Sequence, residues 1–148
     1  MPNSAIQQCL LDAKTIAVVG LSSKPHRASH EVAAYLQKAG YKIIPVNPKE
    51  LGNTILGEYC FGSLTKARAG TSLSIDIVNC FRNSDDIPPI VDEAIRIGAH
   101  CVWMQMGIHH EASAQKARNA GLFVVSNKCT KVEHARLPRH RVTPSESA

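Results

Sequence analysis

The residues best equipped for chemistry in this chain form one run, Gly20-Leu21-Ser22-Ser23-Lys24-Pro25-His26-Arg27-Ala28-Ser29. Gly20 has no Cβ and lets a ligand come close to the backbone. Ser22, Ser23 and Ser29 offer hydroxyls, and Ser29 is placed to cap a helix that follows it. The free N–H groups of that helix's first turn would face an anion. Lys24 and Arg27 add positive charge. A phosphate or pyrophosphate suits such a loop; the alternative is a plain strand-to-helix connection with surface charges. The run holds a single glycine, so it is not G-x-G-x-x-G, and no Gly-Lys-Ser/Thr makes it a Walker loop.

No catalytic set emerges from the other reactive side chains. The seven histidines form no H-E-x-x-H, and no Gly-x-Ser-x-Gly occurs. His109 and His110 open a helix, where neighbours point in different directions, so they make a poor metal pair. We therefore expect no metal site. The five cysteines are odd in number and show no C-x-x-C spacing, which excludes a disulfide framework and a zinc knuckle. Cys80 and Cys101 lie in apolar runs and read as small buried hydrophobes. Cys129, flanked by Lys128 and Lys131, is the thiol whose surroundings favour a thiolate; a loop cysteine without a role is the alternative.

Five apolar runs must position these groups: Thr15–Val19, Lys42–Val46, Ile75–Cys80, His100–Met104 and Leu122–Ser126. They show little polar alternation, as do strands covered on both faces of a parallel sheet. Between them we expect helices over Ala28–Ala39, Ser84–Ile97 and His109–Ala120, each followed by a glycine, a good helix stop. A short helix is expected near Ser63–Ala69 after a surface loop, and another at Ser4–Asp12. This alternation predicts an α/β fold: a doubly wound, Rossmann-like, five-stranded parallel sheet in the order 3-2-1-4-5. Ligands bind such sheets at the carboxyl ends of the strands, where the order reverses.

Those ends supply the remaining candidates. Strand two ends Val46-Asn47-Pro48-Lys49. An NAD enzyme would usually carry Asp or Glu there for the ribose hydroxyls; Asn47 is neutral, the nearest acid, Glu50, lies beyond Pro48, and Lys49 offers a cation. That suits a nucleotide with an extra ribose phosphate. Strand three ends Cys80-Phe81-Arg82, where Phe81 packs on a ligand or in the core, and Arg82 reaches phosphate or solvent. Strand four ends Trp103-Met104-Gln105-Met106-Gly107. Gln105 and Gly107 fall at the ligand edge, while Trp103 and Met104 read as core.

Four strings, Ile16-Ala17-Val18-Val19-Gly20-Leu21-Ser22, Ile44-Pro45-Val46-Asn47-Pro48, Val102-Trp103-Met104-Gln105-Met106-Gly107 and Lys131-Val132-Glu133-His134, resemble the small stand-alone CoA-binding proteins. These are similar to the CoA-binding domain of the succinyl-CoA synthetase α subunit. The resemblance runs from about Ala5 to Leu137. It implies coenzyme A as cofactor, with Gly20, Leu21, Ser22, Lys24 and the Arg27-to-Ser29 loop at the pyrophosphate. Val46, Asn47, Pro48 and Lys49 would face the adenosine and its 3′-phosphate. Phe81 and Arg82 would border the cofactor's chain, with Gln105 and Gly107 near its far end. His134 recurs in the family as structure rather than as a base. The chain departs from the family in Ala28, often Pro, and in Asn79, often Asp. The synthetase's ATP-grasp domain and phosphohistidine segment have no counterpart here, so the resemblance carries binding and not ligation.

The bulk numbers agree with a cytoplasmic binding domain over residues 1–137 and a polar, disordered tail over 138–148. The net charge of +5 is concentrated at the end: from Lys128 onward five Lys/Arg against two Asp/Glu give +3, leaving +2 for the rest. No basic stripe interleaved with aromatics appears, so nucleic acid is not an expected partner. No run approaches the ~20 apolar residues that span a bilayer, and we expect no signal or transit peptide. Free buried thiols suit a reducing cytosol. A protein partner is compatible with all this but unspecified. Two other functions stay open: an NAD(P)-binding or acyl-CoA-processing enzyme, and a CoA-linked thiol sensor acting through Cys129. Hydride transfer asks for a substrate domain, for which 148 residues leave no room unless subunits share a site.

Overall fold

A computed structural model describes residues 2–138. Of the expected polar tail, residues 139–148 lie outside the described ones. The elements run α1 (Pro2–Asp12), β1 (Thr15–Val19), α2 (Ala28–Lys38), β2 (Lys42–Val46), β3 (Thr54–Ile55), β4 (Glu58–Tyr59), α3 (Leu64–Gly70), β5 (Ile77–Cys80), α4 (Ile87–Arg96), β6 (Cys101–Met104), α5 (Glu111–Asn119), β7 (Phe123–Val125) and α6 (Thr130–Ala135).

The main sheet is parallel throughout, in the order β2-β1-β5-β6-β7. Along the five long strands this reads 2-1-3-4-5. Phe61 makes a single parallel bridge to Val46 on the outer side of β2. Counting that bridge as the third position turns the order into the expected 3-2-1-4-5, with β7 after it. In either numbering the order reverses between β1 and β5, so the crevice opens there.

Side chains alternate across each strand and give the sheet two apolar faces. Ala17, Val19, Val78, Cys80, Val102 and Met104 pack under α3, α4 and α5. Ile16, Val18, Ile77, Trp103 and Val125 pack under α1, α2 and the segment around α6. With both faces covered, every residue of β1, β5 and β6 is buried, which explains why these strands read as apolar runs, with Thr15 and Asn79 their polar members.

Several boundaries shift for local reasons. α4 begins at Ile87, after a 3-10 turn over Ser84–Asp86, because Pro88 and Pro89 lack N–H groups and fit only a first turn. α5 begins at Glu111 because His110 is its cap, Nδ1 accepting from the Ser113 N–H at 3.2 Å. The expected surface loop before α3 contains an antiparallel hairpin, β3–β4, whose turn places Leu56 and Gly57 at φ 54° and 79°. Ser29 does not cap α2: the cap position is Arg27, and Ser29 lies inside the first turn. Its hydroxyl turns back to accept the Ser22 N–H at 3.0 Å, closing the loop onto the helix.

Candidate functional site

Four connections meet at the carboxyl edge of the sheet, those after β1, β2, β5 and β6, and with Val46 at the end of β2 they carry the residues expected to face coenzyme A, while Cys129 and Lys131 follow β7. The first is held by short hydrogen bonds. The Gly20 N–H donates to the Val46 carbonyl at 2.8 Å, and the Lys24 N–H donates to Ser22 Oγ at 3.1 Å. Gly20 sits at φ +91°, and a Cβ there would lie 2.5 Å from the Phe81 carbonyl oxygen. Its missing side chain thus serves first to let β1 and the β5 connection close upon each other. The ladder of α2 begins with the Glu31 N–H donating to Arg27 O, so the N–H groups of Ala28, Ser29 and His30 precede it. Lys24 and Arg27 are exposed beside them.

The β2 connection turns on Asn47, 8% exposed. Its Nδ2 donates to the Leu21 carbonyl and its Oδ1 accepts the Lys49 N–H, each at 3.0 Å, so its side chain locks the first two connections together. Leu21 and Val46 are buried, which leaves only their main chain at the edge. Pro48 and Lys49 are exposed in a 3-10 turn that starts at Pro48. That turn folds Glu50 back over the first loop, which the sequence reading did not foresee. Glu50 Oε2 accepts from the Ser23 N–H at 3.0 Å and from Ser23 Oγ at 2.9 Å, and Oε1 accepts from Asn53 Nδ2 at 2.8 Å. The Ser23 N–H, with Asn53 and the Ser23 hydroxyl behind it, holds the Glu50 carboxyl below the usual carboxylate range. The loop's donors therefore already grip one anionic oxygen. The signal was legible in Asn47-Pro48: an Asx cap with proline at the first turn position reverses the chain there.

On the other side of Gly20, Phe81, Arg82, Gln105, Gly107, Cys129 and Lys131 line a cleft of about 680 Å³. Arg82 also borders a smaller cavity of about 240 Å³ with Val46 and Pro48, so it bridges the two halves of the edge. Its guanidinium pairs with Asp86 at 3.3 Å. Gln105 is 5% exposed, and its Oε1 accepts both the N–H and Oγ1 of Thr130 at 3.1 Å. That amide oxygen is spent on anchoring α6. Thr130 Oγ1 in turn accepts Asn79 Nδ2 at 3.0 Å, while Asn79 Oδ1, fully buried, has no partner among the described residues. Trp103 Nε1 donates to the Lys128 carbonyl at 2.8 Å. Together these bonds fix Cys129 and Lys131 over the cleft. The Gly107 N–H donates to Asn127 Oδ1 at 2.6 Å, and Met106 next to it is 63% exposed.

His134 packs edge-on against Tyr35 and Tyr41, its Nδ1 2.9 Å from the Tyr35 hydroxyl, in keeping with a structural role. No cluster of three or more His, Cys, Asp or Glu able to hold a metal occurs among the described residues. No helix among them is long and apolar enough to cross a membrane.

Comparison with known proteins adds a family to this geometry. Residues 14–135 match the family model described as CoA binding domain. A Bacillus subtilis (strain 168) protein, the uncharacterized YneT, is 40% identical over 130 residues, 88% of this chain and 92% of that one. Among solved structures, cell-free ID.343 from Thermus thermophilus superposes with a TM-score of 0.86 at 34% identity, over 93% of this chain and all of the other. A hypothetical protein from Pyrococcus horikoshii OT3 does so with a TM-score of 0.84 at 36% identity, over 93% and 92% of the two chains.

Proposed function

The chain belongs to the CoA binding domain family, and we propose that it binds coenzyme A, free or acylated, at the carboxyl edge of its sheet as a binding module without catalysis of its own. The observation that carries this reading is the convergence of the β1, β2, β5 and β6 connections on one edge within the matched residues. The residues fit the cofactor. Ser23 already grips a carboxylate, which stands in for a phosphate oxygen, and the first-turn N–H groups of α2 lie beside it. Ser22, Lys24 and Arg27 complete a pyrophosphate site there, Gly20, Leu21 and Ser29 shaping the loop. Lys49 takes the 3′-phosphate, with Pro48 and the Val46–Asn47 backbone against the adenosine. Phe81 and Arg82 border the pantetheine arm, and Gly107, with Gln105 behind it, marks the thiol end. When bound, coenzyme A supplies a thiol or thioester; the protein orients it and screens it from water. Free buried thiols and the lack of a spanning helix among the described residues favour a cytosolic setting.

Cys129 favours a second reading. It lines the same cleft as Phe81 and Gln105, so a thiol presented there meets it. Mixed-disulfide formation would make the protein a sensor of the CoA thiol pool.

Calorimetric titration with CoA, dephospho-CoA and NADP separates the possibilities. CoA binding with clearly weaker dephospho-CoA supports the module and the role of Lys49. NADP binding more tightly than CoA favours the NAD(P) enzyme class. No heat and no rise in melting temperature with CoA overturns the proposal.

A further inference from the structure

The opposite edge of the sheet, where the strands begin, holds a second chemical feature. Cys9, on α1, and Cys101, the first residue of β6, line one cleft of about 420 Å³ together with Ala5, Gln8, Asp76 and His100. Cys9 is half-buried and Cys101 is 1% exposed, so one thiol faces the cleft and the other backs it. Ala5 and Gln8, one α-helical turn and one residue before Cys9, are exposed and leave the mouth open. Asp76 is anchored by the N–H groups of Lys14 and Thr15 at 2.8 and 3.0 Å and pairs with His100 at 3.2 Å, which fixes the connection leading into β1 and the start of β6.

We propose that Cys9 and Cys101 form a dithiol–disulfide site that reacts with small-molecule disulfides. It is separate from the coenzyme A site and does not rest on that reading. The division of labour follows from the surroundings. A hydrogen bond with Cys101 draws the Cys9 thiol down, against burial and the charges of Asp12 and Asp76, which push it up. The same bond and full burial push Cys101 well up, so it stays protonated as the donor. The more accessible sulfur is thus the more readily ionised, as an attacking thiol requires.

The Cys9 thiolate attacks one sulfur of R–S–S–R. A Cys9–S–S–R bond forms, the R–S–S–R bond breaks, and one RS⁻ leaves. The Cys101 thiol then loses its proton and attacks the Cys9 sulfur, forming the Cys9–Cys101 disulfide and expelling the second RS⁻. The two thiol protons end on two RSH molecules; the protein dithiol is oxidised by two electrons and the small disulfide is reduced. Cys9 and Cys101 share one apolar cluster and one cleft, so closure draws α1 toward the start of β6.

The test uses the full chain, reduced, then treated with glutathione disulfide and quenched with an alkylating agent. Of the five thiols, two become resistant to alkylation, and tryptic peptides 1–14 and 97–116, each with one cysteine, appear cross-linked. Cys101→Ala should trap glutathione on Cys9 as a stable mixed disulfide, and Cys9→Ser should abolish the cross-link. A Cys129→Ser chain should still form it. Should Cys101→Ala fold poorly, Cys101→Ser tests the same trapping step. The proposal is overturned if wild type carries glutathione on Cys9 that never resolves. It is equally overturned if peptides 1–14 and 97–116 stay fully alkylatable while Cys129 is modified.

Discussion

Replacing Gly20 by alanine tests how tightly the two halves of the candidate site are locked. Two costs add at this position. The φ of +91° lies where an L side chain is disfavoured, a strain of about 1–2 kcal/mol. The new Cβ would also stand 2.5 Å from the Phe81 carbonyl oxygen and 3.0 Å from Arg82 Cδ. Arg82 can swing away, but a backbone carbonyl in a parallel sheet connection cannot move without disturbing the Phe81 N–H bond to Val19 O at 2.8 Å. Relief of that overlap is worth a further ~1–3 kcal/mol, in the range of other overpacked sites. Gly98 separates the two terms. Its φ is +74°, yet a Cβ there meets nothing within 4 Å. Gly98→Ala should therefore cost only the strain, about 1–2 kcal/mol. At roughly 3 °C per kcal/mol for a chain of this size, Gly20→Ala should melt roughly 6–15 °C below wild type, and Gly98→Ala only about 3–6 °C below. Thermal melts of the three proteins by circular dichroism give the comparison. Coenzyme A affinity should fall with Gly20→Ala alone, because Phe81 and Arg82 move with the carbonyl. Equal melting temperatures for the two variants would refute the clash argument, and Gly20 would then matter only for its backbone angle.

The other predictions concern single side chains. Thr130→Val removes the hydroxyl between Gln105 and Asn79 and leaves the Asn79 amide wholly unpaired; chemical denaturation should show a loss of about 1–3 kcal/mol. Asn79→Leu removes the partnerless Oδ1 along with one hydrogen bond, so its effect should be much smaller than that of Thr130→Val. For Glu50 the folded pKa is depressed by its Ser23 and Asn53 bonds. Its contribution is present above the unfolded carboxylate pKa of about 4.3 and is lost as pH falls through the lower folded value; Glu50→Gln should therefore melt slightly below wild type at neutral pH, converge on it at low pH and so flatten the acid limb of a melting series. Tyr41 runs the other way, its pKa raised to about 12 mainly by burial. Its stabilisation is full below the unfolded tyrosine pKa of about 10 and is lost as pH climbs through the folded value, so Tyr41→Phe should blunt alkaline unfolding. Lys49→Ala should weaken coenzyme A several-fold while leaving dephospho-CoA nearly unchanged in a calorimetric titration.

What could be read without coordinates, and what could not, follows from the range of the forces involved. Strands covered on both faces are apolar along nearly their whole length, so β1, β5 and β6 announced themselves as runs rich in Val, Ile, Ala and Cys despite the buried Asn79. Their carboxyl ends then follow from chain direction alone, which is why Gly20, Asn47, Phe81 and Gln105 could be named in advance as edge residues. Their roles were less legible, because a polar side chain at an edge can face inward. Asn47 and Gln105 read as ligand groups, yet the Asn47 amide binds Leu21 and Lys49 and the Gln105 amide oxygen binds Thr130. Ser29 read as a cap, yet it closes the loop from within the helix. The β3–β4 hairpin was hidden because its turn uses Leu56-Gly57, and leucine at positive φ carries none of the Asn-Gly signal. Least visible of all was the meeting of Cys9 with Cys101, far apart in sequence and joined only by the packing of α1 on the strand origins. Residues that serve one edge of a parallel sheet share a sequence signature, the end of an apolar run. Residues brought together by helix packing share none, so a second site in this fold had to come from the structure.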